Sequence, residues 1–471
     1  MGETDKRRIM VALLELPPGA TPQQQLSVAL QNAGPGLQKL FQLVGREART
    51  PELQKMMKDL LGKVKPLASD AVRSVVEGTT GKALEATFSE FDFEPIGSGT
   101  IGQAHRARLK DTGEEVVVKI RRPGIIEQAG REMDIFDDIA SGDAPMQELM
   151  HRVRQSLFAE MDFRDEARNT LRGAHVYNAP KLGLRSAELA RGVEPTEDML
   201  VLKLVKGIPL SKLGKRDLIR HGEALQNLLD RWFDEAMFKS GFFHGDLHPD
   251  NIFYLRQPRS EPRFVATTLD FGSVDELTLD QRRGFARLMI GTLESDPERI
   301  SDSLEKIVTF PEGSRPRLIE LLRRIDLPSL SVRDRLNIAL STALDAGIQV
   351  PASLLKFNRG QTFLEQQLQD VNQLLDARDP ARKLPRFGAN ATLAKVSVRE
   401  GLRELAAQAI SAEARKTSVI TPSLVYDGLV AATRQAARLV SESCAERFRR
   451  LSEGPFPTPG YRRRPLHDDT H

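Results

Sequence analysis

The feature that most limits what this chain can become is the run Phe243-His244-Gly245-Asp246-Leu247-His248-Pro249-Asp250-Asn251, followed further on by Leu269-Asp270-Phe271-Gly272. Glycine and proline interrupt both stretches, so they read as turns between short strands. Phosphoryl transfer needs a carboxylate near the attacking hydroxyl, an amide oxygen and a second carboxylate on Mg2+, and little covalent chemistry beyond that. Asp246, Asn251 and Asp270 supply that set. A zinc-hydrolase reading of His244, Asp246 and His248 is the rival, because imidazole and carboxylate also bind zinc. The other histidines are scattered and no His-Glu-x-x-His accompanies them. His244 and His248 are therefore expected to brace the loop through hydrogen bonds.

Three upstream segments bear on the same chemistry. Gly97-Ser98-Gly99-Thr100-Ile101-Gly102 is a G-x-G-x-x-G run whose glycines let backbone N–H groups approach phosphate oxygens. A dinucleotide fold would need a helix directly after it. Here a turn at Lys110-Asp111-Thr112-Gly113 and the β-branched run Glu115-Val116-Val117-Val118-Lys119-Ile120 predict a hairpin instead. Lys119 on that strand can hold phosphate oxygens if an acid fixes it; the plainer alternative is an edge-strand lysine that discourages aggregation. The acid run Phe158 to Asn169 reads as helical, with Asp162 and Glu166 on one face, and a solvated face with internal ion pairs is its plainer reading.

Apolar spacing predicts helices over about residues 22 to 90, through Leu26, Ala29, Leu30, Leu37, Leu40, Phe41 and Val44 and again through Leu53, Met56, Met57, Leu60 and Leu61. Helical spacing returns from Ile125 to about Leu171 and from 216 to 240, and Met199 to Val205 reads as a strand. A capping box, Thr278 with Gln281, opens a long helical tail. The expected division is a helical leader (1–90), an N-lobe with a helical insertion (91–205), a catalytic C-lobe (206–300), a helical extension (301–452) and a flexible basic tail (453–471).

Composition removes other classes. With 40% hydrophobic and 28% charged residues, the 471-residue chain can build a sizeable core. A net charge of +3 does not suit a nucleic-acid coat, although Arg447 to Arg464 is locally basic. The lone Cys444 excludes an internal disulfide or a Cys-rich zinc site and fits a reducing, cytoplasmic setting. The most apolar stretch, Ile420 to Val440, is interrupted by Asp427, Arg434 and Arg438, so no transmembrane segment is expected. Lys6-Arg7-Arg8 and Ile9 to Leu14 lack a small-residue cleavage site and do not read as a signal peptide.

Glycine loop, strand lysine, helical acid, Asp-x-x-x-x-Asn and Asp-Phe-Gly occur in the order of a protein-kinase-like catalytic core. The sequence resembles the UbiB (AarF-type) family of atypical protein-kinase-like proteins over about residues 30 to 380. The resemblance rests on Gly-Thr-Ile-Gly-Gln-Ala-His (99 to 105), Val-Lys-Ile-Arg-Arg-Pro-Gly (118 to 124), Glu-Met-Asp-Phe-Arg-Asp-Glu-Ala (160 to 167) and Phe-Phe-His-Gly-Asp-Leu-His-Pro-Asp-Asn (242 to 251). It implies an α+β, helix-rich, two-lobed protein-kinase-like fold with helical N-terminal and C-terminal extensions, binding ATP or ADP with Mg2+. It implies Lys119 on the nucleotide phosphates with Glu166 as its partner, Gly97, Ser98, Gly99, Thr100 and Gly102 around them, Asp246 as catalytic base, and Asn251 and Asp270 on the metal. Glu160 and Asp162 match a Glu-x-Asp motif that in relatives faces a leader carrying Lys-x-Gly-Gln. Here Lys39 and Gln42 fit that pattern, and Phe41 stands where glycine is expected. Relatives typically carry alanine where this chain has Gly97 and Gly99, so nucleotide preference closer to conventional kinases is expected.

The family is linked to ubiquinone and other isoprenoid-lipid metabolism, which makes a lipid or quinone-pathway substrate or enzyme the expected partner. Many bacterial members end in membrane-spanning helices. The helices around Leu402, Leu405, Ala406 and Ile410, with the Arg-rich end, leave peripheral contact with an anionic membrane as the expectation here. The step from Gly272 straight to a helix at Thr278 leaves little room for an activation loop, which disfavours protein acceptors. Two other readings stay open: a nucleotide-gated scaffold without phosphotransfer, and a small-molecule kinase of the aminoglycoside or choline type.

Overall fold

The computed structural model describes residues 34–35, 66–142, 144–257, 262–330, 332–379, 387–388, 392, 396, 398–411, 416, 418–421 and 424–425. Among them the chain forms two units, one of residues up to Leu277 together with Ala352–Glu400, the other of Thr278–Pro351 together with residues from Gly401 on. Of the expected extension (301–452), the stretch Ala352–Glu400 groups with the first unit. The tail 453–471 lies outside the described residues.

The first unit begins with α1 (Ser69–Thr80) and a single turn, α2 (Leu84–Thr87), which lead into β1 (Phe88–Phe91), β2 (Gly97–Ser98), β3 (Gly102–Leu109) and β4 (Glu115–Arg121). The β3–β4 hairpin is the one that the β-branched run predicts. Val116, Val118 and Ile120 are fully buried on one face and pack with Val72 and Val76 of α1, so a helix assigned to the leader joins the core of the sheet. Each such side chain stabilises the fold by roughly 1.5–3 kcal/mol. Their alternation fixes register: Lys119 pairs with Ala104 and faces away from this core, and a slip of one residue would drive its ammonium into it.

Next, α3 (Ile125–Ile139) and α4 (Ala144–Ala159) close on each other through Ile125, Ala129 and Met133 against Met150, Val153 and Leu157. The acid run that follows is not one helix. Glu160 and Met161 form a turn, and Asp162, in extended conformation, caps α5 (Phe163–Tyr177) by accepting from Arg164 N at 2.9 Å. Contacts from elsewhere hold this break: Arg121 Nη1 donates to Met161 O (2.7 Å) and Phe163 N to Glu197 O (3.3 Å). Asp162 and Glu166 thus do not share a helix face. After β5 (Leu184–Ser186), β6 (Met199–Lys203) pairs with β4 to complete the sheet β1-β3-β4-β6, with β2 on β3.

A second lobe starts with β7 (Ile208–Pro209) and the long α6 (Lys215–Phe238), which buries Leu225, Leu228, Leu229, Trp232 and Phe233. β8 (Phe242–His244), β9 (Ile252–Arg256), β10 (Phe264–Thr268) and β11 (Val274–Glu276) make two small sheets, β5-β10-β9-β7 and β11-β8. The connections β8 to β9 and β10 to β11 carry the two motif loops side by side.

The second unit opens with the capping box expected from Thr278 and Gln281, both of whose hydrogen bonds are present at the start of α7 (Leu279–Glu294). It continues through α8 (Pro297–Glu305), α9 (Ser314–Arg323) and α10 (Val332–Asp345), where Arg335 donates to Leu293 O and Pro328 O, both at 3.0 Å. The chain then returns to the first unit as α11 (Ala352–Asp376). Among the described residues no helix is long and apolar enough to cross a membrane. Of the presumed membrane-facing residues, Leu402 on α12 (Val398–Ile410) is exposed.

Candidate functional site

The glycine run is the tip of a hairpin. Gly97 and Ser98 pair with Ala104 and Gln103, and Gly99 N donates to Gly102 O at 2.8 Å. Gly102 is dictated by the fold, since a Cβ there would sit 2.3 Å from Ile120 O, whereas Gly97 has open space beside it and a Cβ at Gly99 would meet only Gly102 O, at an ordinary 3.6 Å. Arg122 braces the tip, its Nε donating to Gly99 O (2.9 Å) and its Nη2 to Ser98 Oγ (2.8 Å). Beneath the hairpin runs a cleft of about 640 Å³, lined by Gly97 to Gly102, Lys119, Glu160, Glu166, Asp246, Asn251 and Asp270. Asp162 is not among its lining residues; it is held by the Arg164 guanidinium, which keeps its carboxyl below the usual range.

On the floor of the cleft Lys119 Nζ lies 2.5 Å from Glu166 Oε1 and 3.2 Å from Asp270 Oδ1. Burial works against the Lys119 charge, but the Asp270 and Glu166 carboxylates outweigh it and hold the ammonium above the usual lysine range. Burial pushes Glu166 up against the pull of Lys119, while Lys119 holds Asp270 below the usual carboxylate range. Asp270 remains open to the cleft, its side chain 49% exposed. Its backbone lies in the left-handed region (φ 53°), which Asp tolerates better than most residues. The next residue, Phe271, turns fully inward against Tyr177 and His244, with ring centroids at 6.1 and 5.0 Å.

The opposite wall is the loop after β8. His244 is buried, which keeps it below the usual histidine range. Its Nε2 donates to Leu269 O (2.8 Å) and its Nδ1 accepts from Asp246 N (3.1 Å). With both ring nitrogens committed, His244 has no lone pair to offer a zinc ion, and it joins the two motif loops. His248 Nδ1 accepts from Asp250 N (3.1 Å), which closes the turn before Asn251. Asn251 Nδ2 donates to Asp246 O (3.0 Å), leaving its side-chain oxygen as the atom suited to a cation.

A family model for the ABC1 atypical kinase-like domain matches residues 59–304, just over half of the chain. The chain belongs to the ABC1 atypical kinase-like family. Among curated relatives, it is 27% identical over 292 residues to the "Probable protein kinase UbiB" of Erwinia tasmaniensis, covering 59% of this chain and 52% of that protein. It is 28% identical over 304 residues to the protein of the same name from Aliivibrio fischeri, covering 60% and 54%. The chain thus spans about half the length of the curated relatives it matches. Among solved structures, it is similar to the Rv3197–erythromycin complex from Mycobacterium tuberculosis (TM-score 0.45, 22% identity, 79% of this chain and 97% of that one). It is also similar to the Rio2 kinase–ADP/Mg2+–phosphoaspartate complex from Chaetomium thermophilum (TM-score 0.30, 12% identity, 75% and 98%).

Within this ABC1 domain the α+β, helix-rich, two-lobed arrangement is that of a kinase-like fold. The ABC1 match begins at residue 59, and Lys39, Phe41 and Gln42 of the leader lie outside the described residues. Pro35, which is described, lines the cleft. Two features of the ABC1 core lie in the matching sequence segments, but their contacts are not legible there. Gln103 and His105 form a buried relay: Leu67 N donates to Gln103 Oε1 (2.9 Å), Gln103 Nε2 meets His105 Nε2 (2.7 Å), and His105 Nδ1 meets Asp92 O (2.9 Å). The segment ahead of α1 is thereby tied to the glycine hairpin. Arg122 was visible as part of a matching segment, but nothing local in sequence announces its reach back to Gly99.

Proposed function

We propose that this chain is an atypical kinase or ATPase that works on Mg-ATP. The observation carrying this reading is Lys119, fixed between Glu166 and Asp270 on the floor of a cleft whose other wall presents Asp246 and Asn251. The residues suit a Mg-nucleotide: the glycine hairpin offers unobstructed backbone, Lys119 is a held cation, and the Asp270 carboxylate and Asn251 oxygen are hard oxygen donors. When bound, the Mg-nucleotide supplies the phosphoryl group and part of the charge that neutralises it.

The protein's own contribution is position and charge. Lys119 is held for phosphate oxygens by Glu166. Asp246 accepts the proton of an attacking hydroxyl or orients a water. Asn251 and Asp270 would hold the cation, from two loops that His244 joins. The paired strands β8 and β11 and the immediate start of α7 leave little platform for a peptide, which favours a small or lipid-like acceptor. Supporting a role in quinone or other isoprenoid-lipid metabolism is the family resemblance.

Thermal unfolding of wild type and Asp270→Asn with ATP, ADP or neither, with and without Mg2+, tests the site. A ligand at about 100 times its Kd adds on the order of 2.7 kcal/mol. A Mg2+-dependent rise that Asp270→Asn abolishes supports the reading, and no rise with either nucleotide sinks it. Turnover lost in Asp246→Asn separates an enzyme from a nucleotide-gated scaffold, which retains its nucleotide response without that carboxylate.

A further inference from the structure

The helix α11 lies wholly beyond the segment that the family model matches. Its packing is specific. Phe357 stacks on Trp232 of α6 at 4.5 Å between centroids, and three residues later Gly360 brings the helix backbone onto the motif loop. A Cβ at Gly360 would sit 3.0 Å from Trp232 Cζ2 and 3.2 Å from His244 O. This seating aims two cations at the loops. Lys356 Nζ pairs with Asp275 Oδ2 at 3.2 Å. Arg359 Nη2 donates to Gly245 O at 2.9 Å and stands 3.9 Å from Asp246 Oδ1.

The two oxygens of Asp246 therefore face different neighbours, Arg359 beside Oδ1 and His248 Nε2 at 4.0 Å from Oδ2. A carboxylate on a turn can rotate about its side-chain torsions. A guanidinium anchored to the preceding carbonyl selects one orientation.

We infer that Arg359 is a positioning residue for Asp246, supplied by a helix outside the family-matched segment. The inference rests on the reading of Asp246 as the base. Its test compares Arg359→Lys, which keeps the charge, with Arg359→Gln, which keeps a donor for Gly245 O but no charge, in the full chain. The expected result is an ATP turnover kcat about 10- to 100-fold lower in Arg359→Gln. In Arg359→Lys it should stay within about threefold of wild type, with KM for ATP within about twofold in both. Equal losses in the two variants, a change in KM alone, or an unchanged kcat in Arg359→Gln overturns it. So does an equal loss in Lys356→Ala, which would assign the effect to helix packing.

Hydrogen exchange at the amides of Asp246 to His248 is read in parallel. It should quicken in Arg359→Gln and stay at the wild-type rate in Arg359→Lys. If wild type turns over no ATP, or Asp246→Asn equals wild type, the proposed function fails by itself. The exchange rates then decide on Arg359, and an unchanged rate in Arg359→Gln rejects the inference.

Discussion

Lys119 Nζ and Glu166 Oε1 meet at 2.5 Å although they come from different elements, a strand in the first sheet and the first turn of α5. Glu166 is 7% exposed at its side chain, so its charge depends on this contact. Lys119→Met leaves that carboxylate, with Asp270 nearby, without its main counter-charge. The expected loss is about 3 kcal/mol of stability together with most of the ATP turnover. Lys119→Met/Glu166→Gln should recover stability but not turnover. Urea unfolding and an ATPase assay on the same preparations check both halves.

Gly99 and Gly102 should separate ligand effects from folding effects. A methyl at residue 99 meets nothing closer than Gly102 O at 3.6 Å, while one at residue 102 overlaps Ile120 O. Gly99→Ala should leave the melting temperature within a degree or two and change the ATP to ADP preference. Gly102→Ala should lower stability by roughly 1–3 kcal/mol. An unchanged preference in Gly99→Ala would remove the argument that this loop behaves like that of a conventional kinase.

Phe271 owes its inward position to a missing side chain on α5. A Cβ on Gly173 would lie 2.1 Å from Phe271 Cε1. Gly173→Ala should displace the ring and with it Asp270, lowering turnover by about tenfold or more and stability by roughly 1–3 kcal/mol. Restoring room with Gly173→Ala/Phe271→Leu should return stability first. Differential scanning calorimetry together with nucleotide binding follows the two effects.

His221 on α6 is fully buried edge-on to Tyr254, and neither ring nitrogen has a hydrogen-bond partner among the described residues. Burial lowers its pKa to about 3, against roughly 6.5 in the unfolded chain. The unfolded state then binds the extra proton between these values, so stability is full above about pH 6.5 and falls as pH drops towards 3. The slope from this group is about 1.4 kcal/mol per pH unit. His221→Phe keeps an aromatic ring against Tyr254 and should flatten the acid limb of a melting-temperature profile. A limb as steep as that of wild type would show that His221 does not carry it.

Local chemistry made part of this molecule readable. Val116, Val118 and Ile120 alternate with Lys119, and that alternation alone places the lysine on the face opposite the core, because a strand repeats every two residues. Thr278 and Gln281 announce a helix start because a capping box closes within one turn. Asp246, Asn251 and Asp270 stand close enough in sequence for their spacing to suggest shared chemistry.

Where a contact spans a long stretch of chain, no periodic pattern records it. The run from Glu160 to Glu166 has helical spacing, yet Arg121 on Met161 O and Glu197 O on Phe163 N break it into a turn and a cap. Arg359 reaches Gly245 only because the chain leaves the first unit at Thr278 and returns at Ala352. Sequence by itself determined which side chains are suited to phosphate, metal and proton chemistry, since those properties belong to the residues and their immediate neighbours. Tertiary structure alone decided which acid holds Lys119, which glycine seats Phe271 and which cation stands beside Asp246, because packing against distant elements sets those distances.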